Sequence, residues 1–510
     1  MSPKIGSVIG VDIGTQSTKA VLVAADGTIL AQAQHGYMPD TPRPNWAEQH
    51  ADVWLDAVER CIAEVARNRD DIVALCVSSL YGGAGIPVDA DINPLYPCLI
   101  WMDRRAEAQV EWVRAHVDMD RLGAITGNLV DTYYGFTKMM WLRDERPEVW
   151  AKTALLLPPN AYVIQRLTGE IAVDHSSAGN IGGVYDLAAR SWSGEMLAAL
   201  GIPAFMMPAR LVDSSDIVGG LLSAVAARLG LRAGTPVMAG GIDAAVATFA
   251  AGVTVPGQHV AMIGTSMCWG YIAPSTDAAN RLIGYPYVVG AADDLYVFGG
   301  AGTAGAAVSW FRDQFCQAEV AAGREQGIGS YHLLDDAAAA ISPGADGIVF
   351  LPYLMGERSP VWDSRASGAF VGLNLFHTRA HLYRAVLEGV TFALRHNMEA
   401  GARGSSNLTP RLVVVGGAAK SDLWMQIIAD VTGYPVWTIR EDVEAAIGAA
   451  RLAALGCGLV HMNDASWITL VERALPRPAS QAVYDKLFEI YAGLYPILAE
   501  SMHRLSDMRG

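Results

Sequence analysis

Val8-Ile9-Gly10-Val11-Asp12-Ile13-Gly14-Thr15-Gln16-Ser17-Thr18-Lys19-Ala20-Val21-Leu22-Val23 is the stretch on which the fold turns. A β-branched run enters a glycine-containing turn and a second apolar run leaves it, which predicts a strand, a tight turn and a strand. A further turn at Asp26-Gly27 leads into a third strand. Residues 52–66 then carry Trp54, Leu55, Val58, Cys61, Ile62 and Val65 at helical spacing, with Asp52 placed to cap that helix. A buried-type strand is predicted over 72–77. Three meandering strands followed by helix–strand alternation give a mixed α/β domain.

The pattern returns in the second half, where Val260-Ala261-Met262-Ile263 runs into Gly264-Thr265-Ser266. The two Gly-Thr pairs stand 250 residues apart in a chain of 510, which is too long for one ordinary core. We read two related domains, 1–250 and 251–510, each presenting a hydroxyl-bearing hairpin turn. The boundary falls near Ala251-Gly252 and Pro256-Gly257.

Composition narrows the function classes. Hydrophobic residues make up 52% and charged ones 17%, as in a compact enzyme rather than a disordered chain. A net charge of −15, scattered along the chain, disfavours nonspecific nucleic-acid or anionic-membrane partners. The six cysteines include no C-x-x-C pair, so neither a zinc site nor a disulfide framework is implied. Only Lys4 precedes the first strand, with no apolar region ending in a cleavage site. Apolar stretches elsewhere are broken before spanning length, and a cytoplasmic protein is expected.

Four turns could carry chemistry. The first, Gly14-Thr15-Gln16-Ser17 with Lys19, can aim backbone amides, hydroxyls and an ammonium at a phosphate chain. Asp12, at the strand end, could hold Mg²⁺ through water. Gly264-Thr265-Ser266 could clasp the same phosphates from the opposite side. In the third, Gly240-Gly241-Ile242-Asp243, the aspartate stands at the N-cap of an apolar helix, and it is also placed to take a proton from a hydroxyl. The fourth is the strand–loop–helix Val413-Val414-Val415-Gly416-Gly417-Ala418-Ala419-Lys420-Ser421. Its paired glycines admit a flat ring, and Ser421 either caps the helix or touches a nucleotide. Each turn taken alone is equally a polar loop. Gly300-Ala301-Gly302-Thr303-Ala304-Gly305 also matches a dinucleotide fingerprint, but no acidic residue ends a second strand about twenty residues on. Close helix packing with a nucleotide-phosphate contact is the preferred reading there.

With these pieces in order, the chain resembles the FGGY family of carbohydrate kinases from Val8 to about Gly458. The most specific block is Gly368-Ala369-Phe370-Val371-Gly372-Leu373 followed by His381-Leu382-Tyr383-Arg384-Ala385-Val386-Leu387-Glu388. Trp101-Met102-Asp103-Arg104-Arg105, Lys138-Met139-Met140-Trp141-Leu142, Gly356-Glu357-Arg358-Ser359-Pro360 and the run from Glu444 to Gly448 match further blocks. The resemblance implies two actin-like (ribonuclease-H-like) α/β domains, with ATP and a small sugar or polyol meeting in a cleft between them. Asp243 would then be the catalytic base and Asp12 would lie near Mg²⁺. Thr15, Gln16, Ser17, Lys19, Gly264 and Thr265 would surround the phosphates. Gly305, Ser309, Gly416, Gly417 and Ser421 would border the nucleotide. Trp101, Asp103 and Tyr133 match sugar-contact positions. A homodimer follows only from family habit.

Two departures bear on the substrate. Xylulokinases usually carry Met-His-Gly, and glycerol kinases Arg-Glu, where this chain has Leu80-Tyr81-Gly82, so the Tyr81 hydroxyl would serve a different hydroxyl pattern. Gly135 stands where the family usually has Ser, Thr or Pro. A ketopentose such as xylulose or ribulose is the leading expectation, with gluconate, glycerol, a tetrulose or an autoinducer-type sugar as alternatives. The rivals from other classes are an actin- or chaperone-like ATPase switch and a nicotinamide-dependent dehydrogenase built on 300–305.

Overall fold

The computed structural model describes residues 6–402, 408–440, 444–462 and 464–508, leaving Lys4 outside. The opening stretch folds as its pattern predicts. Strands Ser7–Ile13 and Ser17–Ala24 pair antiparallel, and Ile29–Gly36 extends the meander. Ile72–Ser79 joins the other side of Ser7–Ile13 in parallel, followed by Pro236–Met238 in parallel and Ile217–Gly220 antiparallel at the edge.

A second sheet repeats the plan. His259–Ile263, Met267–Ala273 and Leu295–Ala301 form the antiparallel meander, with Ile283–Pro286 added at its outer edge. Leu412–Val415 and Val436–Ile439 continue in parallel from His259–Ile263, and Leu470–Ala474 closes the far edge antiparallel. These two matched sheets, one in each half of the chain, are the actin-like α/β architecture. The Gly14 and Gly264 turns occupy the same place in each. The Gly300–Gly305 segment is not a dinucleotide-binding unit, because its strand runs antiparallel to both neighbours, whereas that fingerprint needs a parallel crossover.

Helix Ala51–Val65 buries Trp54, Val58, Cys61, Ile62 and Val65 against the first sheet. Each such side chain contributes roughly 1.5–3 kcal/mol by leaving water. The expected cap at Asp52 is corrected: His50 is the N-cap, and Asp52 sits in the first turn, where a carboxylate favours the helix dipole.

Two alanine-rich helices interlock the halves. Asp243–Ala250 follows the first sheet, yet its Thr248 Oγ1 lies 2.9 Å from the Tyr296 hydroxyl of the second. Ala445–Gly456 connects two strands of the second sheet yet packs on the first, where Gly10 leaves room for it. A Cβ on Gly10 would stand 2.0 Å from the Ala446 carbonyl oxygen and 2.2 Å from the Ala450 nitrogen. The helices themselves touch where a Cβ on Gly448 would lie 2.1 Å from the Val246 carbonyl oxygen. Among the described residues no helix is long and apolar enough to cross a membrane.

Candidate active site

A cavity of about 390 Å³ opens where the two hairpin turns and the N-termini of the two interlocking helices converge. Asp12, Thr15, Tyr81, Trp101, Tyr133, Asp243, Gly264 and Thr265, all singled out from sequence, line it together. The N-termini of both helices, at Asp243–Ala244 and Ala445, border this space, a setting that favours anions.

Asp243 is the first helical residue rather than the N-cap, which is Ile242. Its carboxylate accepts the Ala244 amide at 2.7 Å. Asp12 accepts the Ser78 hydroxyl at 2.9 Å and faces Lys19 across the hairpin. Burial first, and then the charge of Asp243, raise the Asp12 carboxyl above the usual range. Burial raises Asp243 too, against the Ala244 amide, which lowers it. Both keep partial solvent contact through the cavity mouth. Two carboxyls so placed hold a proton, or gain from a cation, more readily than isolated ones do.

The hairpin positions its remaining groups differently. Trp101 Nε1 donates to Thr15 Oγ1 at 3.1 Å, pinning the first turn to the cavity wall. Gln16 is exposed at the tip, and Ser17 Oγ accepts from Gln34 Nε2 at 2.9 Å. Lys19 forms a 2.5 Å ion pair with Glu444, the residue just before the helix that packs on the first sheet.

On the second sheet three loops meet at the end of His259–Ile263. Gly305 donates its amide to the Gly264 carbonyl at 2.8 Å, and a Cβ there would stand 2.5 Å from that oxygen. Gly416, at φ +91°, leaves only 2.6 Å between a Cβ and the Ile263 carbonyl oxygen. Gly417 opens the turn that follows. Ser421 Oγ accepts the Trp424 amide at 3.0 Å and so caps the next helix, while Ser309 Oγ donates back to Gly305 O at 2.8 Å. None of these five residues lines the wall of the cavity itself.

Two expected sugar contacts stand elsewhere. The Asp103 side chain is fully enclosed: its oxygens accept the Ala47 amide at 2.7 Å, the Arg105 amide at 3.1 Å and Arg105 Nε at 2.8 Å. Arg105 in turn lies 3.6 Å from the Trp46 ring centroid. Asp103 is therefore enclosed within the scaffold that carries Trp101 and does not line the cavity. Leu80 is wholly buried in the core of the first domain, its amide donating to Ile13 O at 2.7 Å. Lys138, also wholly buried, donates to Ile100 O at 2.8 Å and Tyr133 O at 3.1 Å, tying together the segments that carry Trp101 and Tyr133. Burial pushes its ammonium down to about 7.

The two substrate-side departures prove to be one unit. The Tyr81 hydroxyl accepts the Gly135 amide, and a Cβ at Gly135 would stand 2.0 Å from the Gly83 carbonyl oxygen. Tyr81 and Tyr133 pack with ring centroids 4.9 Å apart. Asn180, Cys268, Phe298 and Arg358 also line the cavity. Arg358 belongs to a block visible in the sequence, whereas Asn180 lies in a run of small polar residues with no motif to mark it.

Comparison with known proteins agrees with this geometry. The model of the FGGY family of carbohydrate kinases, N-terminal domain, matches residues 7–250, and that of the C-terminal domain matches 259–457. A xylulose kinase of Bacillus subtilis (strain 168) is 32% identical, with 96% of each chain covered. A gluconokinase of Bacillus licheniformis is 29% identical, with 98% of each chain covered. The crystal structure of xylulose kinase from Rhodospirillum rubrum superposes with a TM-score of 0.87 at 31% identity, covering 98% of this chain and all (100%) of that one. Two family models in tandem, spanning most of the sequence and meeting at the cavity, establish that the chain belongs to the FGGY family of carbohydrate kinases.

Proposed function

We propose that this carbohydrate kinase transfers the γ-phosphoryl group of ATP to a hydroxyl of a ketopentose such as xylulose or ribulose, with Asp243 as the base. The observation that carries the reading is the convergence of Asp243 and both hairpin turns on one cavity. The substrate oxygen attacks phosphorus in line as the bond to the β-phosphate oxygen breaks; Asp243 takes the hydroxyl proton, and ADP leaves. Amides and hydroxyls of the Gly14 and Gly264 turns, with the two helix N-termini, would receive the phosphate charge. Closure of domains 1–250 and 251–510 on each other would exclude water from the transfer. Gly305, Ser309, Gly416, Gly417 and Ser421 would border the nucleotide.

The Asp12 carboxyl, raised by burial and by its neighbour Asp243, fits a divalent cation that needs few protein carboxylates. Asp12 would hold Mg²⁺, which supplies charge neutralisation at the phosphates when bound. A sugar acid is a second reading. It is favoured by the gluconokinase relative and by Arg358, whose buried Nε has no hydrogen-bond partner.

The test is an ATP-consumption screen over pentuloses, hexuloses, polyols, tetruloses and sugar acids, with mass analysis of the product. Turnover dependent on a pentulose, with a phosphorylated pentulose as product, supports the first reading. Turnover on sugar acids alone supports the second. ATP consumption independent of every acceptor overturns both.

A further inference from the structure

Asn180 ends the short helix His175–Asn180 and lines the cavity with Asp243. Only 1% of its surface is exposed, yet neither Oδ1 nor Nδ2 has a hydrogen-bond partner. The Tyr133 hydroxyl lies close enough for the amide to ease its ionisation, but at a geometry that completes no hydrogen bond to either atom. A buried amide left unpaired costs roughly 1–3 kcal/mol, so nothing in the fold by itself favours asparagine over an apolar residue here.

The helix that carries Asn180 is held in fixed relation to the base. Asp174 caps it through the Ser177 amide at 2.8 Å and is itself gripped by Asn160 Nδ2 at 2.9 Å. Ser176 Oγ accepts the amide of Ile242, the residue before Asp243, at 3.1 Å. Gly179 presses against the second sheet, where a Cβ would stand 2.4 Å from Pro286 Cδ. The amide is thus locked in place by both halves of the molecule while its two polar atoms stay unsatisfied, as in a preorganised ligand contact.

Resting on the kinase reading, we infer that the Asn180 amide reads a pair of neighbouring hydroxyls on the phosphoryl acceptor. Oδ1 accepts from one hydroxyl and Nδ2 donates to the next, a pairing that a primary amide offers side by side. Asp243 engages a third, the hydroxyl that is phosphorylated. The acceptor class is therefore a compound with at least three hydroxyls, two of them adjacent and remote from the reacting oxygen. Asn180 is a specificity-determining residue, and it takes no proton.

The experiment compares wild type with Asn180→Leu and Asn180→Ser. The acceptor is whichever of xylulose, ribulose, erythrulose, glycerol and gluconate the wild type turns over fastest, together with its monodeoxy analogues. The expected result is a KM for the acceptor raised about 10–100-fold in both variants, with KM for ATP within about threefold of wild type. Wild type should lose about 10–100-fold in kcat/KM on removal of either hydroxyl of one adjacent pair, while Asn180→Leu should be nearly indifferent to the same removal. The thermal midpoint of Asn180→Leu should equal or exceed that of wild type, because the amide completes no hydrogen bond within the fold. Unchanged acceptor KM in a folded variant overturns the inference while leaving the kinase reading intact. So does a deoxy penalty that persists in Asn180→Leu, or a fall in the thermal midpoint with parallel loss for acceptor and ATP. Absence of turnover on every acceptor overturns both.

Discussion

Replacing Asp243 by asparagine isolates the proton-accepting step from everything else the residue does. The amide keeps the shape of the carboxylate and an oxygen to accept the Ala244 amide, now at 2.7 Å, so helix Asp243–Ala250 should stay in place. What disappears is the capacity to bind a proton. A positioned general base contributes about 10²–10⁴-fold, or about 2.7–5.4 kcal/mol of barrier at 1.36 kcal/mol per decade. Sugar-dependent ADP release followed by a coupled assay should therefore fall by two to four decades on that scale. Nucleotide affinity, read by calorimetry, should hold or tighten, since one negative charge is removed from a site built for phosphates. Stability should not fall either: burial opposes the ionisation of Asp243, and its charge is the second cause, after burial, of the raised Asp12 carboxyl. A folded Asp243→Asn protein that retains turnover within tenfold of wild type would refute the assignment of the base.

Other outcomes follow from the packing. Gly10→Ala places a Cβ 2.0 Å from backbone at Ala446, which no rotamer change relieves, so helix Ala445–Gly456 must lift off the first sheet; the denaturant midpoint should drop steeply, and a wild-type midpoint would contradict the interlock. Tyr81→Phe strips the Gly135 amide of its acceptor at a buried site and should cost about 1–3 kcal/mol of unfolding free energy with a raised sugar KM; a neutral effect on both would show that the hydroxyl does not hold the pocket. His259 is buried, with Nδ1 accepting Trp269 Nε1 at 3.2 Å and Nε2 donating to the Thr409 carbonyl at 3.1 Å, and burial pushes its imidazole down to about 4. Because the unfolded imidazole binds its proton near pH 6.5, this contribution to stability is whole above that pH and is lost as pH falls toward 4, about 2 kcal/mol of it by pH 5. Denaturation of wild type and His259→Gln at pH 7 and pH 5 should show the smaller acid loss in the variant, and equal losses would remove His259 as the cause.

Much of this protein is written in short-range chemistry. The glycine turns at 14 and 264, the β-branched runs flanking them and the strand–turn–helix around Asp243 depend on neighbours a few residues away. For that reason the matched sheets, the two facing hairpins and most of the cavity wall were legible before any fold was known. Where local rules misplaced a detail, as with the cap at Asp52, the error was a residue or two in a helix boundary.

Roles that depend on which distant surfaces meet were not legible. Asp103 looks like a ligand to hydroxyls until its carboxylate is seen enclosed against Ala47 and Arg105, and no motif marks Asn180, which the fold leaves buried and unpaired beside Asp243. Nothing in their own segments shows that Gly10 and Gly448 are each the space through which one half of the molecule touches the other. Sequence alone determined the pieces and the family; the tertiary structure decided which polar atoms remain available, because hydrogen-bond satisfaction of a buried group depends on every element packed around it and not on its own segment.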